Sequence, residues 1–508
     1  MRARTLLASV GAALAGVATY DLLQRRHAIL RNFPVVGHLR YLLESVGPEL
    51  RQYIVTDNDQ ERPFSRDQRR WVYASAKGEN NWFGFGTDND LERPEGYLVI
   101  KQVAFPRTPP PDEPRHPDPA RPLPAAKLLG GARGRARAFR PSSVVNLSAM
   151  SFGSLSAAAV EALNCGAALA GCLHTTGEGG ISPHHLHGGD LVWQIGTGYF
   201  GCRDGEGRFD LERLVDVVAA TPQVRAIELK LSQGAKPGLG GFLPGAKVTP
   251  EIAAIRGIPV GRDCRSPAAH TAFHDIDGML ELVETIAART GLPVGIKSAV
   301  GEQAFWEDLA LRMERTGRGV DFITIDGGEG GTGAAPLTFS DHVALPFMWG
   351  FTRVYRTFAE RGLHEQVVWV GSGKLGLPER ALQAMALGCD LVNVGRTAMF
   401  SIGCIQAQRC HTGRCPTGVA TQSAWLQRGL DPALKSVRCA TYIATLRHEL
   451  LRLARACGEP HPALVGPEHL ELLSKGYRAV TLQELFDYQP GWGLPSAADR
   501  QVLQALMG

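Results

Sequence analysis

The sequence predicts an α/β protein whose body is a closed (β/α)8 TIM barrel, with an N-terminal helical and irregular extension and C-terminal helices. Three observations predict it. From about residue 141 onward, short apolar runs alternate with amphipathic helical patterns, the order expected of a parallel sheet wrapped by helices. Eight such runs are present: Val144–Ala149, Cys172–Thr176, Val192–Tyr199, Ala226–Leu231, Pro293–Ser298, Phe322–Asp326, Val367–Gly371 and Leu391–Val394. Most end in glycine-rich or polar turns, which is where a barrel of this kind carries its function.

The chain of 508 residues is long enough for one large barrel with additions, and its 44% apolar and 20% charged content is that of a globular protein. A net charge of only +4 does not suggest nucleic-acid binding. Ten cysteines in so long a chain are sparse and only three cluster, which favours a reducing compartment over a disulfide framework.

Taken in order, Met1-Arg-Ala-Arg precedes the apolar run Thr5–Leu23, close to the ~17–20 residues a membrane-spanning helix needs. Ala13-Leu14-Ala15-Gly16 resembles a signal-peptide cleavage site, but Arg25, Arg26 and Arg31 favour keeping the following chain cytoplasmic. Residues 1–27 therefore read as a retained membrane anchor with the catalytic body in the cytoplasm. Residues 28–105 read as a cap, with a helical phase over Leu39–Val46 that Gly47-Pro48 interrupts. Residues 106–140 read as a proline- and arginine-rich linker, Arg133 to Arg140 being a solvated strap. The barrel with its cysteine loop occupies 141–430, with helices over Leu155–Leu169, Leu211–Ala220, Ile276–Arg289 and Pro378–Leu387. Residues 431–508 form a helical tail, helices over Leu434–Leu453 closing the barrel and Tyr477–Leu506 ending the chain.

The strand ends carry Ser148-Ala-Met-Ser-Phe-Gly153, His174-Thr-Thr-Gly-Glu-Gly-Gly180, Gln194-Ile-Gly-Thr-Gly198 and Lys230-Leu-Ser-Gln-Gly-Ala-Lys-Pro-Gly238. The later four carry Lys297-Ser298, Asp326-Gly-Gly-Glu-Gly-Gly-Thr-Gly333, Gly371-Ser-Gly-Lys374 and Gly395-Arg-Thr397. The last two lie where barrels commonly bind phosphate, because glycine leaves backbone N–H groups unobstructed and Lys374 or Arg396 adds positive charge. Just beyond, Cys404, Cys410 and Cys415 are spaced C-x5-C-x4-C and followed by Pro416. Three thiolates in one winding loop suit an iron–sulfur cluster. With His411 they also suit a Cys3His zinc site, and three buried thiols are the plain alternative. His184, His185 and His187 lack a carboxylate or cysteine to complete a ligand set and read as polar loop residues; the remaining seven cysteines read as ordinary thiols.

In sequence, residues 141–430 resemble the synthase domain of ferredoxin- and NADPH-dependent glutamate synthases, an FMN-binding barrel with a three-iron cluster. The carrying motifs are Ala149-Met-Ser-Phe-Gly-Ser-Leu-Ser156, Thr176-Gly-Glu-Gly-Gly180, the run Gln233 to Pro250, Gly330-Gly-Thr-Gly-Ala-Ala-Pro-Leu337, and Gly403-Cys-Ile with Cys410-His-Thr-Gly-Arg-Cys-Pro-Thr-Gly-Val-Ala-Thr421. The resemblance implies hydride transfer from reduced FMN to 2-iminoglutarate, formed from 2-oxoglutarate and ammonia, to give L-glutamate. It makes Cys404, Cys410 and Cys415 ligands of a 3Fe-4S cluster that passes electrons to the flavin. It implies substrate binding by Gln233, Lys236 and Arg256, with Glu178, Gln233, Lys236 and Lys297 as catalytic residues. Glu178 would carry a proton, and Lys297 would favour a reduced, anionic flavin. FMN contacts fall on Ser148, Met150, Ser151, Thr175, Gln194, Lys297, Gly330, Gly331, Gly371, Gly373, Lys374, Gly395, Arg396 and Thr397.

Departures from the family pattern qualify this resemblance. Lys374 stands where the family has glutamine, Arg396 where its turn is neutral, and the stretch around Arg256 diverges. A glutaminase domain and a β-helix do not fit in the chain, so free ammonium or a separate amidotransferase is the expected nitrogen source and ferredoxin or another carrier the expected donor. The N-terminal anchor suggests, as alternatives, a membrane-tethered flavin and iron–sulfur electron-transfer module; a related amino-acid or amine oxidoreductase is a third reading.

Overall fold

The computed structural model describes the chain except residues 1, 25, 57–59, 88, 90, 92–94, 112, 113, 115, 475–477 and 508. Met1, Arg25 and Tyr477, which entered the sequence reading, and part of the proline-rich stretch lie outside the described residues. The chain divides into two compact units, Met1–Arg69 and Arg70–Gly508.

In the first unit a helix runs over Arg2–Leu23, and its segment Thr5–Leu23, 19 residues of mean hydropathy 1.6, is long and apolar enough to cross a membrane. Asp21 accepts hydrogen bonds from the Val35 amide at 2.9 Å and from His38 Nε2 at 2.9 Å, tying the end of that helix to the next turn. Gly47-Pro48 does not interrupt the following helix, which spans Gly37–Leu50 and continues as a π-helical turn over Arg51–Val55. Proline removes one donor but keeps a helical φ, so the helix continues.

The second unit holds a closed barrel of eight strands in chain order. They are β1 (Val145–Leu147), β2 (His174–Thr175), β3 (Leu191–Ile195), β4 (Val224–Lys230), β5 (Val294–Ser298), β6 (Phe322–Asp326), β7 (Val368–Ser372) and β8 (Leu391–Val394). Neighbours pair in parallel, and β8 closes on β1 with Val392 opposite Val145. The helices over Ala157–Ala170, Leu211–Ala220, Ile276–Thr290 and Pro378–Ala386 follow the predicted ones within a few residues.

The expected solvated strap is instead a plug in the N-terminal mouth of the barrel. Leu129 and Phe139 bond to each other as a hairpin, and Ala125 and Leu129 pack with Leu173, Val192, Ala226, Phe322 and Leu391 at the strand starts. Arg135 is half-buried there: its Nε donates to Asp321 at 3.0 Å and its Nη1 to Glu284 at 2.6 Å. Carboxylates contributed by the barrel and its helix Ile276–Thr290 bring the arginine inward.

The expected C-terminal helices are one helix, Pro432–Ala456, and the tail is not all helical. Leu470–Ser474 pairs antiparallel with both Tyr97–Ile100 and Arg478–Thr481, making a small three-stranded sheet, before a last helix over Ala497–Met507. In the strand Leu470–Ser474 the first residue is buried, the middle three are half-buried and Ser474 is exposed.

Candidate active site

The C-terminal ends of β2 and β4, together with the long excursion after β4, bring Glu178, Lys230, Gln233, Lys236 and Arg256 together. Glu178 follows β2 on the Gly177–Gly180 turn, and Lys230 ends β4. Lys230 Nζ donates to Glu178 Oε1 at 2.7 Å and to Gln233 Oε1 at 2.6 Å. Lys230 was not among the predicted site residues, yet it is the link between two that were. Its main-chain oxygen lies 2.9 Å from Nε2 of His270, whose Nδ1 is 3.1 Å from the Tyr199 hydroxyl, fixing the strand end from behind.

Arg256 arrives from a different direction. Thr249 caps a short helix, Pro250–Arg256, by accepting from the Ile252 amide at 3.3 Å, and Arg256 is its last residue. The buried guanidinium donates through Nη2 to the Phe152 carbonyl at 3.1 Å and lies 5.1 Å over the Phe200 ring. Among the described residues its Nε has no hydrogen-bond partner. A Cβ on Gly179 would stand 2.7 Å from Nη2, so glycine is needed at that point of the β2 turn.

The electrostatics follow from this packing. Burial pushes the Glu178 carboxyl up, but Lys230, Lys236 and Arg256 outweigh it and hold the group below its ordinary range. Glu178 is therefore an ionised partner of three cations, a proton acceptor rather than a resting donor. Burial and the neighbouring Lys230 charge push the Lys236 ammonium below its ordinary value, with Glu178 opposing. Three buried cations thus share one carboxylate.

The strands that follow β4 around the barrel mouth are balanced differently, starting with β5, where Lys297 is the register partner of Lys230. Lys297 at the end of β5 sits 3.5 Å from Asp326 Oδ2 at the end of β6, so its charge is shared. The same oxygen accepts from the Gly234 amide at 3.0 Å; a Cβ on Gly234 would fall 1.8 Å from the Gly327 carbonyl. Gln194 donates to Glu228 Oε1 at 2.6 Å inside the barrel, while Thr324 donates to Oε2 at 2.6 Å. Arg396 is half-buried, donates to the Glu329 carbonyl and lies against Gly331, which with Gly330 belongs to the β6 loop. Gly371, Gly373 and Lys374 follow β7, Lys374 in the left-handed region at φ 58°, and Gly395, Arg396 and Thr397 follow the adjacent β8. Ser148 beside Gly395, buried Met150, Ser151 and Thr175 complete this rim from β1 and β2.

The cysteine loop begins after the helix Arg396–Ser401. Tyr73 donates to the Cys404 carbonyl at 2.9 Å, and Gln406 and Gln408 both take left-handed conformations as the chain winds toward Cys410. Burial and the neighbouring Cys415 push the Cys410 thiol up. At Cys415, burial is outweighed by backbone amides of Thr417, Val419 and Ala420 and the Thr417 hydroxyl, which hold the thiol below its ordinary value. Among the described residues, no three His, Cys, Asp or Glu side chains are gathered closely enough to hold a single metal ion, and this is true of Cys404, Cys410 and Cys415 with or without His411. His185 lies in the turn Pro183–His185 and is buried, with Nδ1 2.8 Å from the Ser182 hydroxyl.

A family model described as a conserved region in glutamate synthase matches residues 135–459. The chain belongs to the glutamate synthase family. A glutamate synthase large subunit-like protein, YerD, of Bacillus subtilis (strain 168) is 39% identical over 479 residues, covering 89% of this chain and 90% of that protein. An archaeal glutamate synthase [NADPH] of Methanocaldococcus jannaschii is 36% identical over 315 residues, and this chain spans 58% of that relative's length. Among solved structures, a flavocytochrome b2 with sulfite bound aligns over 92% of this chain and 93% of its own, at 14% identity and a TM-score of 0.44. Within the glutamate synthase family region fall the whole barrel, its plug from Arg135, the cationic pocket and the cysteine loop.

Proposed function

We propose that this chain is a glutamate synthase that makes L-glutamate from 2-oxoglutarate and ammonia, with FMN and a 3Fe-4S cluster as its redox groups. Membership in the glutamate synthase family makes it an oxidoreductase. The observation that carries the substrate reading is the charge count of the pocket: Lys230, Lys236 and Arg256 surround the single carboxylate of Glu178. Buried charge needs a partner, and a surplus of two positive charges suits a substrate with two carboxylates.

The residues divide the work. Arg256, whose Nε is unpartnered among the described residues, offers a directed donor to one carboxylate. Lys236 adds field beside the reacting carbon and disfavours the approach of neutral analogues. Glu178, ionised and held by Lys230, accepts a proton as the imine forms at the 2-position. Gln233, whose Oε1 accepts from Lys230, would use its amide N–H groups as donors to the substrate.

The rim fits a flavin phosphate through backbone rather than side chains. The turns at Gly371–Lys374 and Gly395–Thr397 lie side by side on paired strands, and glycine keeps their amides open. FMN bound there would supply the hydride. Cys404, Cys410 and Cys415 would hold the cluster, and the amides gathered at Cys415 suit a thiolate ligand. Ferredoxin or another one-electron carrier is the proposed donor and free ammonium the proposed nitrogen source. Thr5–Leu23 is the proposed membrane anchor, with the catalytic body on the cytoplasmic side.

An anaerobic single turnover tests this reading. The reduced protein is mixed with 2-oxoglutarate and ammonium while flavin absorbance is followed and glutamate assayed. Flavin reoxidation with one glutamate per flavin is expected. A flavin that stays reduced in the presence of both substrates would sink the assignment and turn attention to the electron-transfer reading.

A further inference from the structure

We infer that Lys247 is the buried cation that balances the charge of the cluster held by Cys404, Cys410 and Cys415 and sets the potential at which it accepts an electron. The inference rests on the cluster reading above. Lys247 is 4% exposed and donates to the Ser154 carbonyl at 3.1 Å. Among the described residues no carboxylate forms an ion pair with it; burial pushes its ammonium below the ordinary value, and Cys410 and Cys415 oppose that. Its stem lies against Gly413, between those two cysteines, where a Cβ would be 3.9 Å from Cε and 4.0 Å from Cγ.

A buried ammonium with one neutral acceptor and no anionic partner is costly. The protein accepts that cost where an anion joins the site. Three cysteine thiolates and the bridging sulfides outweigh the charge of the irons, so the cluster is such an anion. The other side of Lys247 matters too. It ends the turn Gly245–Lys247, two residues before Thr249, the cap of the helix that delivers Arg256. One short segment therefore places one cation against the cysteine loop and another in the substrate pocket.

The redox consequence is a single-electron step in which one iron passes from the ferric to the ferrous state and no bond is made or broken. The electron comes from an external one-electron carrier. The step adds one negative charge beside Lys247, so a fixed ammonium stabilises the reduced cluster more than the oxidised one and raises its potential.

The test is an anaerobic redox titration of the full chain, followed by the electron paramagnetic resonance of the cluster, for the native protein, Lys247→Met and Lys247→Arg. Iron, sulfide and flavin are quantified in each sample. Lys247→Met is expected to disfavour reduction at least tenfold, about 59 mV for one electron, while Lys247→Arg stays near the native midpoint. Loss of the cluster from Lys247→Met alone, at native flavin content, would also support a requirement for charge. An unchanged midpoint in Lys247→Met, or equal shifts or equal cluster loss in both variants, would overturn it. A native protein without iron and sulfide would instead refute the cluster reading itself, and the inference with it.

Discussion

The two halves of the barrel mouth carry similar numbers of cations but use them differently. On the β2–β4 side, Lys230, Lys236 and Arg256 are buried around one carboxylate, and Arg256 keeps a donor without a partner among the described residues. On the β5–β8 side, Lys297 faces Asp326, and Arg396 is committed to the Glu329 carbonyl. Counting cations in the sequence would rank the two regions alike. What separates them is how much positive charge the protein leaves for a ligand: the first region suits an anionic substrate held by side chains, the second a phosphate held by backbone amides.

The strongest way to break this comparison is Arg256→Ala. Removing a buried, directed donor should lower kcat/KM for 2-oxoglutarate by roughly 10²–10³, about 3–4 kcal/mol, measured under steady-state conditions with a chemical reductant. An effect below tenfold would mean that the guanidinium serves Phe152 and the fold rather than substrate. Lys236→Met should cost roughly ten- to a hundredfold, mostly in KM.

A pH series sharpens the same point. Lys236 loses its proton more readily than an ordinary lysine in the free protein, and a dicarboxylate beside it restores the charged form. Affinity for 2-oxoglutarate should therefore fall as pH rises through the lowered pKa, with proton uptake on binding over the same range. Calorimetry in buffers of different ionisation enthalpy reads that uptake, and both effects should vanish in Lys236→Met. The smallest effect belongs to the balanced side: Arg396→Ala should weaken FMN retention less than about tenfold, because its guanidinium already has a protein acceptor. A larger loss would show that side-chain charge, not backbone, grips the phosphate.

Much of the barrel was legible because its strands are short apolar runs that stop at glycine. β6 and β8 match the predicted spans residue for residue. The third strand was drawn to Tyr199 but leaves the ladder at Ile195, because Gly196-Thr-Gly198 turns the chain and Tyr199 itself sits at φ 47°. Glu178, Gln233 and Lys236 lie in recognisable motifs and Arg256 in a stretch that diverges from them; the structure joins Glu178 and Gln233 through Lys230. Lys230 was not legible, since its role depends on a partner 52 residues away across the barrel. Arg135 was misread for the same reason: its basic neighbourhood looks solvated until folding brings up Asp321, 186 residues later. Patterns along a chain report burial and turns; they do not report which charges meet.

The central claim is the charge count, and a binding comparison tests it most directly. The oxidised protein is titrated with 2-oxoglutarate and with 2-oxopentanoate, which keeps the keto acid and chain length but lacks the second carboxylate. Preference for the dicarboxylate by at least about a hundredfold is expected from one charge-assisted contact of roughly 3 kcal/mol. Equal affinity for the two would contradict a pocket built around two negative charges.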